Sequence, residues 1–255
     1  MGATPKLRQN LTKDAQAVRT SETTWRLEVP PGPAGSYRLS QLDDYTNLNR
    51  REFPWQPPVH LRLRARASQA AIPGTWGFGF WNDPFSLAFG LGGGTRRLPA
   101  LPNAAWFFFA SPQNYLSLRD DLPANGCLAA TFQSRNIPSP LLAPVALALP
   151  LLFLPPAARL LRRLGRRFFN QSAADLVFDV TAWHQYEIEW TAGQVIFRCD
   201  NRLVHQTGIV PHGPLGLVIW VDNQYAAFPP LGQLRYGTLP AAESCWIEID
   251  QLEVS

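Results

Sequence analysis

Three places in the chain set aromatic rings beside amide and carboxylate side chains. Trp81-Asn82-Asp83-Pro84-Phe85 ends one aromatic run. Ser111-Pro112-Gln113-Asn114-Tyr115 follows another, and Trp220-Val221-Asp222-Asn223-Gln224-Tyr225 ends an apolar one. That combination suits sugars: a ring stacks on a C–H face, while amides and carboxylates exchange hydrogen bonds with hydroxyls. Period-two geometry places Trp220, Asp222 and Gln224 on one face of a strand. Trp76 and Trp106, in the aromatic runs themselves, complete a candidate ligand-binding set of Trp76, Trp81, Asn82, Asp83, Trp106, Trp220, Asp222, Asn223, Gln224 and Tyr225. The competing reading is that Asn-Asp-Pro and Asp-Asn-Gln only turn the chain. Asp83 and Asp222 are also the candidates for an acid–base pair, should the protein be a hydrolase. Such a pair must lie within about 10 Å.

A second chemistry is carried by residues 137–169, IPSPLLAPVALALPLLFLPPAARLLRRLGRRFF. Its apolar part, 141–154, is shorter than the roughly 20 residues a spanning helix needs, and Pro144 and Pro150 interrupt it. Pro156 suits a first helical position. Leu160, Leu161, Leu164 and Phe168 then fall on one stripe, with Arg159, Arg162, Arg163, Arg166 and Arg167 around the rest. A basic amphipathic helix of this kind can lie on an anionic membrane surface. Leu160, Leu161, Arg162, Arg163, Leu164, Arg166, Arg167 and Phe168 are the residues expected to face the membrane. Two other readings stay open: the leucines dock on the protein with the arginines in water, or the segment is a lid over a cleft.

Metal and cofactor chemistry is not expected. Cys127, Cys199 and Cys245 are odd in number and widely spaced, giving neither a disulfide framework nor a metal pattern. His184 reads as a meander-edge residue, His205 and His212 offer no ligand spacing, and Asp120-Asp121 reads as a loop pair. The net charge of +4 comes without a basic stripe along most of the chain, so no nucleic-acid partner is expected. The first residues, MGATPKLRQNLTKDAQ, contain no apolar signal region, and Lys6 breaks the myristoylation pattern. A cytoplasmic protein, peripheral to the membrane if the insertion docks, is the expectation. The first 20 or so residues are expected as a flexible tail, followed by one domain over 21–255 with an insertion at 138–169.

Elements that could position these residues are mostly strands. Only 16% of residues are charged and 12% are aromatic, the reverse of a disordered chain. Twenty-four prolines argue against a helical bundle. Residues 60–66, HLRLRAR, alternate strictly, with Leu61, Leu63 and Ala65 on one face. In 76–81, WGFGFW, Trp76, Phe78 and Phe80 share a face and glycines take the other. Further strands are expected at 25–29, 106–110, 115–118 and 127–132. A three-stranded meander follows over 185–205 with a tight turn at Asp200-Asn201. A strand buried on both faces is expected at 215–221, and a last one at 246–254. Many short strands joined by polar turns predict an all-β, two-sheet antiparallel sandwich.

The meander carries a resemblance. Trp183-His184-Gln185-Tyr186-Glu187-Ile188-Glu189-Trp190, Gly193, Ile196-Phe197 and Asp200-Asn201-Arg202-Leu203-Val204 resemble the corresponding run of laminarinase-like β-glucanases, glycoside hydrolase family sixteen of the concanavalin A-like lectin/glucanase superfamily. The segments 74–81, 214–219 and 250–254 are similar to further strands of that family, in the same order. The resemblance implies a jelly roll with a sugar-binding concave face. It also implies a catalytic E-x-D-x-x-E or E-x-D-x-E on the strand before the meander. Here that strand reads Trp106-Phe107-Phe108-Phe109-Ala110-Ser111, without a carboxylate. Glu248-Ile249-Asp250-Gln251-Leu252-Glu253 spells the motif, but in the last strand, where an alternating surface strand explains it. The expectation is a non-catalytic carbohydrate- or glycolipid-binding module. The alternatives are a glycoside hydrolase with relocated carboxylates and a peripheral membrane protein docking through 138–169.

Overall fold

The computed structural model describes residues 5–12, 14–84, 97, 100–120, 122–135, 137, 153–230 and 234–255. Phe85, Asp121 and residues 138–152 of the expected insertion lie outside them. Among the described residues, two seven-stranded antiparallel sheets form a jelly-roll sandwich. The first, here the cleft sheet, runs in the order β1 (Arg8–Leu11), β4 (Leu39–Asp43), β13 (Gly216–Asp222), β6 (Thr75–Trp81), β7 (Ala104–Ala110), β8 (Gly126–Ser134) and β9 (Phe169–Leu176). The second, the back sheet, runs β12 (Arg202–Thr207), β11 (Val195–Cys199), β10 (His184–Trp190), β5 (Val59–Ala67), β16 (Cys245–Val254), β3 (Trp25–Val29) and β2 (Gln16–Arg19). A separate hairpin pairs β14 (Gln224–Ala227) with β15 (Arg235–Thr238). One α-helix, α1 (Pro155–Gly165), is present among the described residues.

The expected flexible tail is corrected. Arg8–Leu11 pairs with β4 and Gln16–Arg19 pairs with β3, so this stretch supplies one edge strand to each sheet. Residues 115–118 were expected as a strand, but Tyr115 makes only a single bridge to Ala227. The meander is as expected. Asp200 and Asn201 take φ of 50° and 63°, the left-handed pair a two-residue hairpin turn requires.

Alternation fills the space between the sheets. Phe78, Phe80, Phe107 and Ile219 project inward from the cleft sheet; Leu61, Leu63, Tyr186, Ile188, Trp190 and Phe197 meet them from the back sheet, all fully buried. The Phe107 ring lies 4.9 Å from Tyr186 and 5.4 Å from Phe197. On the outer face of the back sheet, Arg66 pairs with Glu248 at 2.7 Å, and Arg64 and Arg62 approach Asp250 and Glu187. Glu248 and Asp250 of the motif-like last strand are thus tied to arginines on the face turned away from the cleft sheet.

Strand β6 faces the core with Trp76, Phe78 and Phe80 and turns Gly77 and Gly79 to the other side. A Cβ at Gly77 would lie 2.4 Å from the Phe107 carbonyl oxygen and 2.8 Å from the Trp220 ring. The glycine is therefore required by the ring packed over it. Gly77→Ala is expected to cost about 1–3 kcal/mol in chemical denaturation, the usual penalty for overfilling packed space. Gly193→Ala, at a turn with nothing within 4 Å, should change stability far less. Equal effects of the two substitutions would contradict this packing account.

Candidate functional site

The outer face of the cleft sheet holds a cavity of about 430 Å³. Register explains its floor. Trp220 is opposite Gly77, which is opposite Phe108; Val218, Gly79 and Trp106 form the next row; Gly216, Trp81, Ala104 and Phe132 the one after. With glycine at the middle of two rows, the neighbouring rings lie together. Trp106 is 5.6 Å from Trp220, 6.0 Å from Trp81, 5.4 Å from Phe108 and 6.1 Å from Phe132. Tyr37, Tyr225 and Tyr236 add rings at the margin. Trp81 donates its indole N–H to Tyr45 Oη at 2.7 Å, and Trp220 donates to Thr75 Oγ1 at 3.0 Å. The two rings are held by their polar edges.

Polar groups concentrate on β4 and at the end of β13. Gln41 is opposite Trp220 and donates to Asp43 at 2.9 Å. Asp222 accepts from Thr75 Oγ1 at 2.8 Å and from the backbone N–H groups of Thr75 and Gln224 at 3.2 Å, with Tyr37 Oη at 3.4 Å. Burial pushes its pKa up to about 7, against the lowering effect of those hydrogen bonds. A chain of bonds thus runs from the Trp220 indole through Thr75 to Asp222.

Seven of the ten expected ligand residues line the cavity: Trp81, Asp83, Trp106, Trp220, Asp222, Gln224 and Tyr225. Three do not. Trp76 points into the core, stacked on Phe109 with ring centroids 3.6 Å apart, because it shares the inward face with Phe78. Asn82 spends its amide on Asn103 N and Leu101 O, and Asn223 bonds Arg38 N, Ser36 O and Leu239 O. Both amides tie chain segments together, as turn residues do. Gln41, Tyr37, Phe108 and Phe132 were missed. Their neighbours in sequence gave no cue, since only sheet register brings them to the floor.

Asp83 and Asp222 do not form a pair. Thr75, opposite Asp222, is six residues from Trp81, about 20 Å along β6 at about 3.3 Å per residue, and Asp83 lies beyond Trp81. Asp83 is bound to the Arg97 guanidinium at 2.5 Å. Burial pushes its pKa up, with Arg97 and then Arg50 pulling it back. Its carboxylate is a structural partner at the cavity's far end.

Elsewhere, His184, Cys199 and Asp200 bring their potential ligand atoms within 4.8 Å of one another. His184 is already engaged at both nitrogens, Nδ1 with Asp200 at 2.7 Å and Nε2 with the Asp179 carbonyl at 2.9 Å. This corner is a hydrogen-bonded clasp on the meander.

Helix α1 is oriented against expectation. Arg162 is buried, donating to the carbonyls of Ser117 at 2.8 Å and Arg119 at 2.9 Å, to Phe228 O, and to Asp120 at 3.2 Å. It cannot face a membrane, and Leu161 is half-buried. Leu160, Leu164 and Phe168 are exposed, together with Arg163, Arg166 and Arg167. Arg166 also pairs with Asp120.

No family model matches the chain, and no curated protein matches it. Several solved structures follow a similar course. A Bacillus licheniformis β-glucanase shares 9% identity, with 94% of this chain and 81% of that one covered, at a TM-score of 0.48. A glycoside hydrolase family 16 endo-glucanase from Bacteroides ovatus shares 10% over 94% and 85%, also at 0.48. A legume lectin-like domain from Entamoeba histolytica shares 7% over 96% and 89%, at 0.49.

The Asp222 environment predicts a pH signature. Between about pH 4 and about pH 7 the folded chain holds a proton at Asp222 that the unfolded chain releases. This group's contribution to stability therefore falls as pH rises through that window. Asp222→Asn should remove part of the slope and be the more stable form above pH 8. Denaturation curves at pH 4, 6 and 8 with parallel slopes for both proteins would contradict the assignment.

Proposed function

We propose that the protein is a non-catalytic carbohydrate-binding module whose ligand lies across the ring floor of the cleft sheet. The observation that carries this reading is the contiguous Trp81–Trp106–Trp220 surface, bordered on one side by Gln41, Asp222 and Gln224. Flat apolar faces beside a few hydrogen-bonding groups match the two sides of a sugar ring. Its chemistry does not favour hydrolysis. Outward positions on β7 are Ala104, Trp106, Phe108 and Ala110, which cannot attack an anomeric carbon or move its proton. Asp83 and Asp222 are too far apart for a shared glycosidic bond.

Calorimetric titration with glucan oligosaccharides tests this. Trp106→Ala and Trp220→Ala should each weaken binding by at least about tenfold, the scale of central aromatic anchors. Release of reducing ends by the wild-type protein would overturn the non-catalytic reading. Binding that survives both substitutions would overturn the site.

A second reading is favoured by helix α1. In the helix and just beside it, exposed Phe153, Leu154, Leu160, Leu164 and Phe168 accompany exposed Arg159, Arg163, Arg166 and Arg167. Apolar side chains set among cations suit the boundary of an anionic bilayer. Among the described residues no helix is long and apolar enough to cross one. Co-sedimentation with phosphatidylcholine vesicles containing phosphatidylserine should exceed that with phosphatidylcholine alone. It should weaken with salt, and fall in Leu160→Gln/Leu164→Gln. Equal binding to both vesicles would rule this reading out.

A further inference from the structure

The cavity is not uniform from one side to the other. On the β4 and β13 side it offers Gln41, Tyr37, Asp222 and Gln224 beside Leu39 and Val218. Across β7, β8 and β9 it offers Phe108, Phe132 and Phe169, with Leu116 and Leu118 from the loop beneath α1. An oligosaccharide would want hydrogen-bonding partners along its whole length, because its hydroxyls lose water on entering. The β7–β9 side supplies mostly carbon. A ligand that fits both sides is polar at one end and a hydrocarbon chain at the other.

Helix α1 stands at the hydrocarbon side. A Cβ at Gly165 would lie 3.2 Å from Leu118 and 3.6 Å from Phe169, both of which line the cavity. Phe153, ahead of the helix, lies 6.0 Å from the ring of Tyr236, another lining residue. Arg162 locks the helix to the carbonyls of residues 117, 119 and 228, so Leu160 and Leu164 stay turned outward. The apolar half of the cavity therefore borders an element with an outward apolar-and-basic face.

We infer that the cleft takes a membrane glycolipid, its sugar head on the Gln41–Asp222 side and its first methylenes over Phe108, Phe132 and Leu118, drawn from an anionic bilayer on which α1 rests. This rests on the sugar-binding reading and names the ligand class of that same site. The sugar supplies the hydroxyls that the β4 side can bond. The alkyl chain replaces water over the phenylalanines, and the arginines of α1 meet lipid phosphates and carboxylates.

A homologous series separates the two claims. Methyl, hexyl, octyl and decyl β-glucosides, kept below their micelle concentrations, are titrated against the full chain by intrinsic tryptophan fluorescence. Burial of each methylene should tighten binding about fourfold until the apolar half is filled. Phe132→Ser should flatten that increment, while Asp222→Asn, at the other end, leaves it intact. Affinity independent of chain length in the wild-type protein overturns the glycolipid assignment; if glucan oligosaccharides still bind, the sugar-binding reading survives it. Equal affinity for alkyl chains bearing a zwitterionic head overturns both. The wild-type series decides the matter even if a variant fails to fold.

Discussion

Everything on the cleft side of the sandwich depends on β6 carrying no side chain at Gly77 and Gly79. Facing inward, this strand delivers Trp76, Phe78 and Phe80 to the core. Facing outward it must be empty, because Trp220 from β13 occupies the space a Cβ would need and the β7 backbone presses close. One strand thus serves a dense core and an open floor. Gly216 does the same for Tyr45, whose ring lies where a side chain would begin. Rings therefore lie across the sheet from three neighbouring strands, and the polar edges of Trp81 and Trp220 are anchored on Tyr45 and Thr75.

The second constraint is a buried cation. Arg162 sits inside α1's docked face and is matched by backbone carbonyls and Asp120 rather than by a buried carboxylate. A buried guanidinium demands such partners, since leaving it unpaired would cost several kcal/mol. Satisfying it fixes the rotation of the helix. The consequence is an inverted amphipathic helix: small Ala158 and charged Arg162 inside, Leu160 and Leu164 outside. Core anchoring and surface chemistry have exchanged places relative to an ordinary docked helix.

Much of the fold was legible in the sequence. Strict alternation in 60–66, the meander with Asp200-Asn201 and the all-apolar 215–221 each appear where periodicity places them. Edge strands β1 and β2 were not legible, because short polar stretches such as Arg8–Leu11 pair through backbone groups and bury little. The site was legible in part for a related reason. Local sequence identifies Trp106 and Trp220, but Gln41 and Phe132 reach the floor only through register. Trp76 misled because the aromatic run alternates across the sheet. Arg162 misled because composition alone places arginines in water; only the carbonyls at 117, 119 and 228, distant in sequence, reveal its partner.

The central claim is that ligand meets the chain on the ring floor of the cleft sheet. The chain has nine tryptophans, and their indole N–H groups are separate reporters. Trp81, Trp106 and Trp220 line the cleft; Trp76 and Trp190 lie in the core; Trp183 and Trp246 pack against arginines of the back sheet. Two-dimensional NMR of the indole resonances during titration with octyl β-glucoside reads all of them at once. The account predicts shifts at Trp81, Trp106 and Trp220 with the back-sheet pair unmoved. Shifts confined to Trp183 and Trp246 would contradict it.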